Sequence, residues 1–153
     1  MVVVEALPGS KIDGCAMRLH DGSVVVGLSG RGRRLDGFVF TLLHELAHVI
    51  LGHIDDHTVL DEEVGADDPG GIESAANTLA RSWVFPDGRS LRPGPITRDV
   101  VLDAARRHDV HPSFVVGRLQ WEQRLPWNRL RALIPSLNEL RFDDSTGALV
   151  TPT

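Results

Sequence analysis

The hydrophobic and polar positions of the chain predict a short β-rich segment near the start and several helices after it. Two runs rich in valine, leucine and methionine flank Asp21-Gly22. Because Asp-Gly is among the strongest signals for a two-residue hairpin turn, the pattern predicts a β-hairpin over residues 16–28. Residues 27–37 are predicted to form a Gly- and Arg-rich loop, which has neither the Walker nor the GxGxxG spacing of a phosphate-binding loop.

The first convincing helix is predicted over residues 38–51. Its positions are mostly apolar, it includes two histidines and one acid, and Gly52 follows it where helices commonly end. We expect such a helix to be buried against neighbours on several sides. After an acidic loop with at most one short helix, the pattern predicts further helices at residues 72–85, 98–108 (capped by Thr97), 113–124 and, as a short element, 126–133.

The length and composition are typical of one soluble globular domain. The chain has 153 residues, of which 42% are hydrophobic and 24% are charged. A chain of this length can bury a core of ordinary size. We therefore predict a single domain over residues 1–142, with its core at about residues 15–135, and a polar, frayed tail at residues 143–153.

Charge is unevenly distributed along the chain, whose net charge is −5. Residues 55–73 contain eight acids and no lysine or arginine, whereas residues 89–131 contain nine arginines and four acids. Such a basic stretch is usually a solvated helix face, although it leaves a nucleic-acid-binding module open as an alternative. The overall acidity argues against direct nucleic-acid binding.

Nothing in the sequence indicates a membrane span or a secretory signal. No apolar run approaches the roughly 20 residues that cross a bilayer, and the first residues lack the basic region of a signal peptide. The single cysteine, Cys15, cannot form an internal disulfide, and we expect it to be a structural residue. The expected location is therefore the cytoplasm, without membrane contact.

Residues 44–48 have the sequence His-Glu-Leu-Ala-His, an H-E-x-x-H motif inside the first predicted helix. Side chains at i and i+4 lie on one helix face, roughly 5–6 Å apart at Cβ, so His44 and His48 can bind one metal ion. Glu45 is turned about 100° around the helix, where it can reach a metal-bound water. Zn²⁺ suits two neutral imidazoles, a carboxylate and a water.

A third metal ligand has to come from outside this motif. The metzincin pattern requires glycine at 51 and histidine at 54, where this chain has Leu51 and Ile54. His53 is close in sequence but has the wrong spacing for that pattern. The inverted motif H-x-x-E-H is absent as well.

A glutamate from a second helix is the remaining common solution, and Glu73 is the strongest candidate. The small residues Ala75 and Ala76 follow it and would let two helices approach closely. Asn77, one turn after Glu73, is placed to hydrogen-bond a ligand imidazole. Two acids from the acidic loop are rivals for the third position: Glu62 and Glu63.

Taken together, these motifs resemble the ImmA/IrrE family of zinc metallopeptidases. The first part of the resemblance is H-E-L-A-H at residues 44–48 with Gly52-His53 after it. The second part is E-S-A-A-N-T-L-A at residues 73–80, in a helix that closes at Pro86. In the family the corresponding helix has the pattern E-x-x-A-N-x-F-A and closes near Leu-Leu-Met-Pro.

The chain departs from the family pattern at packing positions. Leu79 stands where the family usually has phenylalanine, and W-V-F-P at residues 83–86 replaces the usual terminus. Residues 111–120, ahead of Leu-Pro-Trp at 125–127, are similar to the C-terminal part of members fused to a helix-turn-helix domain. The resemblance covers about residues 15–135, and we expect a stand-alone or excised domain without an N-terminal helix-turn-helix.

The resemblance implies an α+β fold: a small antiparallel sheet packed beside a zincin-like HExxH helix, with several further helices. It implies Zn²⁺ as the cofactor, His44, His48 and Glu73 as metal ligands, and Glu45 as the catalytic residue. Some members cleave a transcriptional repressor, so a regulatory, DNA-binding protein is the implied substrate and partner. By that analogy, the strand at residues 23–28 is either the edge that receives an extended peptide or an internal strand.

The expected reaction is zinc-dependent hydrolysis of a peptide bond, with Glu45 moving the proton. The chain has no tyrosine, so His111 or an arginine is a candidate oxyanion donor. The alternative is a non-catalytic metal-binding domain with a regulatory or scaffold role in a toxin–antitoxin or stress-response system. Glu45 favours the enzyme, because a structural zinc site needs no general base.

Overall fold

The computed structural model describes residues 2–4, 12–29, 34–54, 59–60, 71–88, 91, 94–137, 141–142 and 149–150. Contacts group the chain into two compact units, one made of Met1–Gly32 and Phe38–Pro86, the other of Arg33–Gly37 and Asp87–Thr153. The expected α+β class is confirmed, since the described residues include both a sheet and helices. The single domain over residues 1–142 stays a prediction.

The first unit contains a four-stranded sheet with the strand order β1-β3-β2-β4. In chain order the strands are β1 (Val2–Val4), β2 (Gly14–Arg18), β3 (Val24–Ser29) and β4 (Val59–Leu60). The predicted hairpin is confirmed as the antiparallel pair β2–β3, in which Arg18 pairs with Val24. The sheet is mixed, because β1 runs parallel to β3 whereas β4 runs antiparallel to β2.

Strand β3 is internal, with β1 on one side and β2 on the other. The expectation that residues 23–28 form an edge for an extended peptide is therefore wrong, because neighbouring strands already use their backbone groups. β4 lies in the acidic segment that was predicted to be a loop. The other predictions for that segment, Glu62 and Glu63 included, concern residues 55–58 and 61–70, which lie outside the described residues.

The β2–β3 turn is one residue longer than the predicted two-residue turn. Leu19 N donates to Ser23 O at 2.8 Å, and Gly22 N donates to Leu19 O at 2.9 Å. Gly22 has a φ of +84°, the left-handed conformation that closes a three-residue hairpin loop. Asp21 Oδ1 accepts hydrogen bonds from Ser23 N and Ser23 Oγ, and these bonds lower the pKa of Asp21.

The first helix, α1 (Leu35–Ile50), is buried on two sides, as its apolar pattern predicts. One side packs on the sheet in a cluster of Ala16, Val26, Leu28 and Ile54 with Phe38, Leu42 and Val49. The other side packs on α2 (Ile72–Val84) in a cluster of Ala47, Ala76 and Ala80 with Phe40, Leu43 and Leu79. The small residues at this contact are Ala76 and Ala80, whereas Ala75, predicted to lie there, is exposed.

The start of α1 lies three residues before the predicted one, and contacts within the second unit explain it. Leu35 N donates to Pro135 O at 3.1 Å. Arg34 Nη2 donates to Asp36 Oδ2 at 2.7 Å and to Gln120 Oε1 at 2.8 Å. Asp36 is a buried carboxylate in the first helical turn, where the helix dipole also favours a negative charge. These partners lie far along the chain, so local sequence could not indicate this start.

The remaining helices are α3 (Arg98–His108) and α4 (Pro112–Trp121), followed by a 3₁₀ turn at Arg131–Leu133. The bounds of α3 match the prediction, and Thr97 caps it by accepting from Val100 N. Helix α4 ends three residues before the predicted end at residue 124, because Gln123 takes a left-handed φ of +58°. Glycine is the usual residue at such a position, so the sequence did not indicate this end.

The predicted short helix over residues 126–133 is reduced to the 3₁₀ turn. Part of the predicted frayed tail is paired, since β5 (Arg141–Phe142) runs antiparallel to β6 (Leu149–Val150). Among the described residues, no helix combines the length and apolar character that a membrane crossing requires.

Candidate metal centre

Helices α1 and α2 bring three ligand-bearing side chains of the first unit together. His44 and His48 lie one turn apart on α1, with 2.9 Å between their Nε2 atoms. Glu73, in the first turn of α2, has Oε2 at 3.0 Å from His44 Nε2 and Oε1 at 3.3 Å from His48 Nε2. We call these residues the triad; one ligand atom from each lies within 4.8 Å of the others.

Two members of the triad are buried and the third is partly open to solvent. The His48 side chain is 0% exposed, the His44 side chain is 5% exposed, and the Glu73 side chain is 25% exposed. Burial and any positive charge on His44 or His53 lower the pKa of His48, while the Glu73 carboxylate opposes this shift. The direction favours a neutral imidazole near pH 7, which is the form that binds a metal.

While Glu73 is ionised, protons on the two imidazoles do not satisfy the contacts between the three side chains. If both Nε2 atoms carried hydrogens for Glu73, two N–H groups would face each other across the 2.9 Å between His44 and His48. If one lacked its hydrogen, its lone pair would face a carboxylate oxygen. A cation between the three side chains removes this conflict. Zinc bonds of about 2.0–2.1 Å give tetrahedral edges of roughly 3.3–3.4 Å, and the observed separations of 2.9–3.3 Å are close to them.

Glu45 lies beside the triad in sequence and is fully buried. Strand β2 passes close to it at Gly14. A Cβ atom at position 14 would lie 2.7 Å from Glu45 Oε1 and 2.6 Å from Thr41 Cγ2, closer than real contacts allow. Sequence reasoning missed Gly14, because a glycine in a strand indicates a close backbone approach without naming the neighbour. The missing side chain at Gly14 leaves room for the Glu45 carboxylate.

His53, whose spacing does not fit the metzincin pattern, contacts His48, and sequence reasoning missed this contact. Its Nδ1 lies 3.0 Å from His48 Nδ1, on the side of the His48 ring away from the triad. Gly52 was the sequence feature that could have indicated this contact. It takes a left-handed φ of +75° at the end of α1 and turns the backbone towards the last turn of the helix. The residue after such a glycine commonly contacts the side chain five positions earlier, which here is His48.

The supporting role expected of Asn77 stays a prediction. His48 Nδ1 faces His53, and His44 Nδ1 has no hydrogen-bond partner among the described residues. Asn77 is half-buried on α2, one turn after Glu73. At His48 the position of an outer partner is therefore already taken by another histidine.

His111 belongs to the second unit, where it caps the start of α4. Its Nδ1 accepts a hydrogen bond from Ser113 N at 3.2 Å and lies 2.9 Å from Ser113 Oγ. Partial burial lowers the pKa of His111, an effect that Asp36 opposes. Its role as an oxyanion donor stays a prediction.

Several arginines of the basic stretch are paired within the second unit. Arg106 pairs with Asp103, and Arg118 and Arg124 both pair with Glu122. Arginines that are paired with carboxylates are less available to phosphate groups. The Arg106–Asp103 pair lies on a solvated helix face, as expected, whereas the Arg118 and Glu122 side chains are only 19% and 20% exposed.

No protein-family model matches the chain, and no curated protein matches it.

Proposed function

We propose that the chain is a zinc-dependent peptidase in which the triad holds the metal and Glu45 is the catalytic base. The observation that carries the proposal is the convergence of His44, His48 and Glu73, from two helices, onto one point. The part of the chain that the structure describes supplies three ligands, which leave one position for water as in hydrolytic zinc sites, whereas structural sites usually have four protein ligands.

Each side chain then has a distinct task. Bound Zn²⁺ would lower the pKa of a water towards about 7 and polarise the carbonyl of the peptide bond. Glu45 takes the proton of the attacking water on a carboxylate oxygen and delivers it to the nitrogen of the leaving amine. Gly14 lets the backbone of β2 lie against Glu45, which limits the positions open to its carboxylate.

The substrate class follows from the resemblance to the ImmA/IrrE family. On that basis we propose a regulatory protein, such as a DNA-binding transcriptional repressor, as the substrate. The motifs that carry the resemblance, residues 44–48 and 73–80, are the segments that supply the triad and Glu45. A non-catalytic metal-binding domain is the alternative, and the experiment below distinguishes it from the enzyme.

The test combines metal content by mass spectrometry with cleavage of candidate repressor proteins followed on gels. We expect wild type to contain about one zinc per chain and to cleave a repressor. Glu45→Gln should keep the zinc and lose cleavage about 100- to 10,000-fold, because only proton transfer is removed. His48→Ala should lose both. Glu122→Gln, an equally conservative change at an ion pair of the second unit, is the matched control and should behave as wild type.

Two results would contradict the proposal. Wild-type protein that binds zinc but cleaves no repressor would favour the non-catalytic alternative. Cleavage that persists at the wild-type rate in Glu45→Gln would remove that residue from the reaction.

A further inference from the structure

The end of α1 is closed by a glycine cap that brings His53 back onto the helix. Gly52 N donates to Val49 O at 3.2 Å, and His53 N donates to His48 O at 3.0 Å. Together with the φ of +75° at Gly52, these two bonds form a Schellman motif. In this motif the residue after the glycine lies against the side chain five positions earlier, so the backbone itself places His53 beside His48.

The contact between these two rings is polar and directional. The Nδ1 atoms lie 3.0 Å apart, the ring centroids are 5.1 Å apart, and the ring planes make an angle of 64°. Two nitrogens at this distance require one donor and one acceptor. When His48 Nε2 binds a metal through its lone pair, the hydrogen of the neutral His48 ring has to be on Nδ1. In that state His53 Nδ1 is the acceptor, and the hydrogen of the neutral His53 ring is on Nε2.

We propose that His53 is a positioning residue for the metal centre: it fixes the Nδ1–H form and the ring orientation of His48. The proposal rests on the metal site proposed above and adds a residue to it. Ligand histidines usually donate their outer N–H to a carboxylate, a carbonyl or water, and such partners are worth roughly 10- to 100-fold in metal affinity. Here a histidine supplied by the helix cap takes that role.

The two ligand histidines differ in this respect. His44 Nδ1 has no hydrogen-bond partner among the described residues, whereas His48 Nδ1 has one. His48 is thus held from both ring nitrogens. Removing His53 would take away the partner of His48 Nδ1, so that the outer nitrogen would no longer hold the His48 ring in one tautomer.

The test measures the affinity for Zn²⁺ by competition with a chromophoric chelator in the full chain. His53→Ala should bind Zn²⁺ about 10- to 100-fold more weakly than wild type. His53→Asn should recover most of the affinity, because Asn Oδ1 occupies nearly the place of His Nδ1 and can accept the same hydrogen. The control is His20→Ala, which removes an exposed histidine from the β2–β3 loop and should not change the affinity.

Nitrogen-15 NMR of the histidine rings supplies a second readout that a loss of packing would not mimic. In the zinc-bound protein we expect a hydrogen on His48 Nδ1, none on His53 Nδ1, and scalar coupling between these two nitrogens. Wild-type affinity in His53→Ala, a failure of His53→Asn to recover affinity while remaining folded, or a hydrogen on His53 Nδ1 would overturn the proposal.

The outcomes separate this inference from the peptidase function. Zinc binding that weakens in His53→Ala, in a protein that cleaves no peptide, would support the role of His53 and contradict the enzyme. Zinc that fails to bind wild type would overturn both.

Discussion

The triad in the first unit and the Arg34–Asp36–Gln120 cluster in the second are both largely buried groups of polar side chains, yet their hydrogen bonding differs. In the second cluster, the Arg34 guanidinium donates to Asp36 and Gln120. The Gln120 amide in turn faces the carbonyl oxygens of Pro126, Trp127 and Arg129. Donors and acceptors are balanced there without any further group.

The triad is composed differently. Its converging atoms are two imidazole nitrogens, whose donor or acceptor roles depend on the tautomer, and two carboxylate oxygens, which accept. The second cluster contains its own cation, Arg34, whereas the triad presents a group of ligand atoms that can hold a metal ion. The following changes test whether the triad binds a metal while the second cluster acts as a structural ion pair.

The largest expected effect is the stabilisation of the fold by zinc. At a free concentration about 1,000 times the Kd, zinc should add about 4 kcal/mol to the free energy of unfolding and raise Tm by roughly 8–16 °C. His44→Ala should abolish this shift, because the site then has two ligands. Asp36→Asn, the control in the second unit, should show the same zinc-induced rise in Tm as wild type. Thermal unfolding with and without chelator measures both, and an equal zinc response in His44→Ala would refute the site.

Breaking the ion pair between Arg34 and Asp36 should lower the free energy of unfolding both with and without bound metal. Asp36→Asn keeps the shape of the side chain and removes the charge that faces Arg34, whose side chain is 30% exposed. We expect a loss of about 2 kcal/mol in the free energy of unfolding, measured by urea titration in chelator. The zinc affinity should stay at the wild-type value. A parallel loss of zinc affinity would show that the two clusters are not independent.

Two glycines lie against the carboxylates of the two regions, and alanine at each should act differently. A Cβ at Gly117 would lie 2.1 Å from Asp36 Oδ2, and a Cβ at Gly14 would lie 2.7 Å from Glu45 Oε1. Gly117→Ala is in a helix, where alanine normally stabilises by about 1 kcal/mol, but here it should destabilise by about 1–2 kcal/mol. Gly14→Ala should destabilise the fold as well, and it should reduce cleavage because the added Cβ displaces the Glu45 carboxylate. The zinc content should remain that of wild type.

Urea titrations of Gly117→Ala and Gly14→Ala, with cleavage assays on both, check these expectations. Gain of stability in Gly117→Ala would mean that Asp36 moves aside without loss. Full cleavage by Gly14→Ala would mean that the position of Glu45 does not depend on this glycine.

The smallest effect concerns pH. The pKa of His111 is lowered in the folded protein from an ordinary value of 6.5, so the unfolded chain binds the proton more readily. The contribution of neutral His111 to the free energy of unfolding is therefore fully present above pH 6.5 and is lost as the pH falls below that value. His111→Asn keeps a capping side chain and should flatten this part of the pH dependence. Urea midpoints at pH 7.5 and pH 5.5, in chelator, measure the difference; an unchanged slope would contradict it.

The sequence alone determined the features that depend on neighbouring residues. The i, i+4 spacing put His44 and His48 on one face of α1, and Thr97 marked the start of α3. The hairpin between β2 and β3 followed from the Asp21-Gly22 dipeptide, although its loop is one residue longer. These features form because helix and turn hydrogen bonds connect residues only a few positions apart.

Tertiary structure decided what connects distant residues. It placed Glu73 against both histidines, started α1 at Leu35 through partners such as Gln120, 86 positions from Arg34, and made β3 an internal strand. Such contacts depend on how whole elements pack, and no spacing within the chain specifies that packing. His53 depends on both kinds of contact. The local helix cap places it beside His48, but its proposed role as a positioning residue depends on the triad that α2 completes.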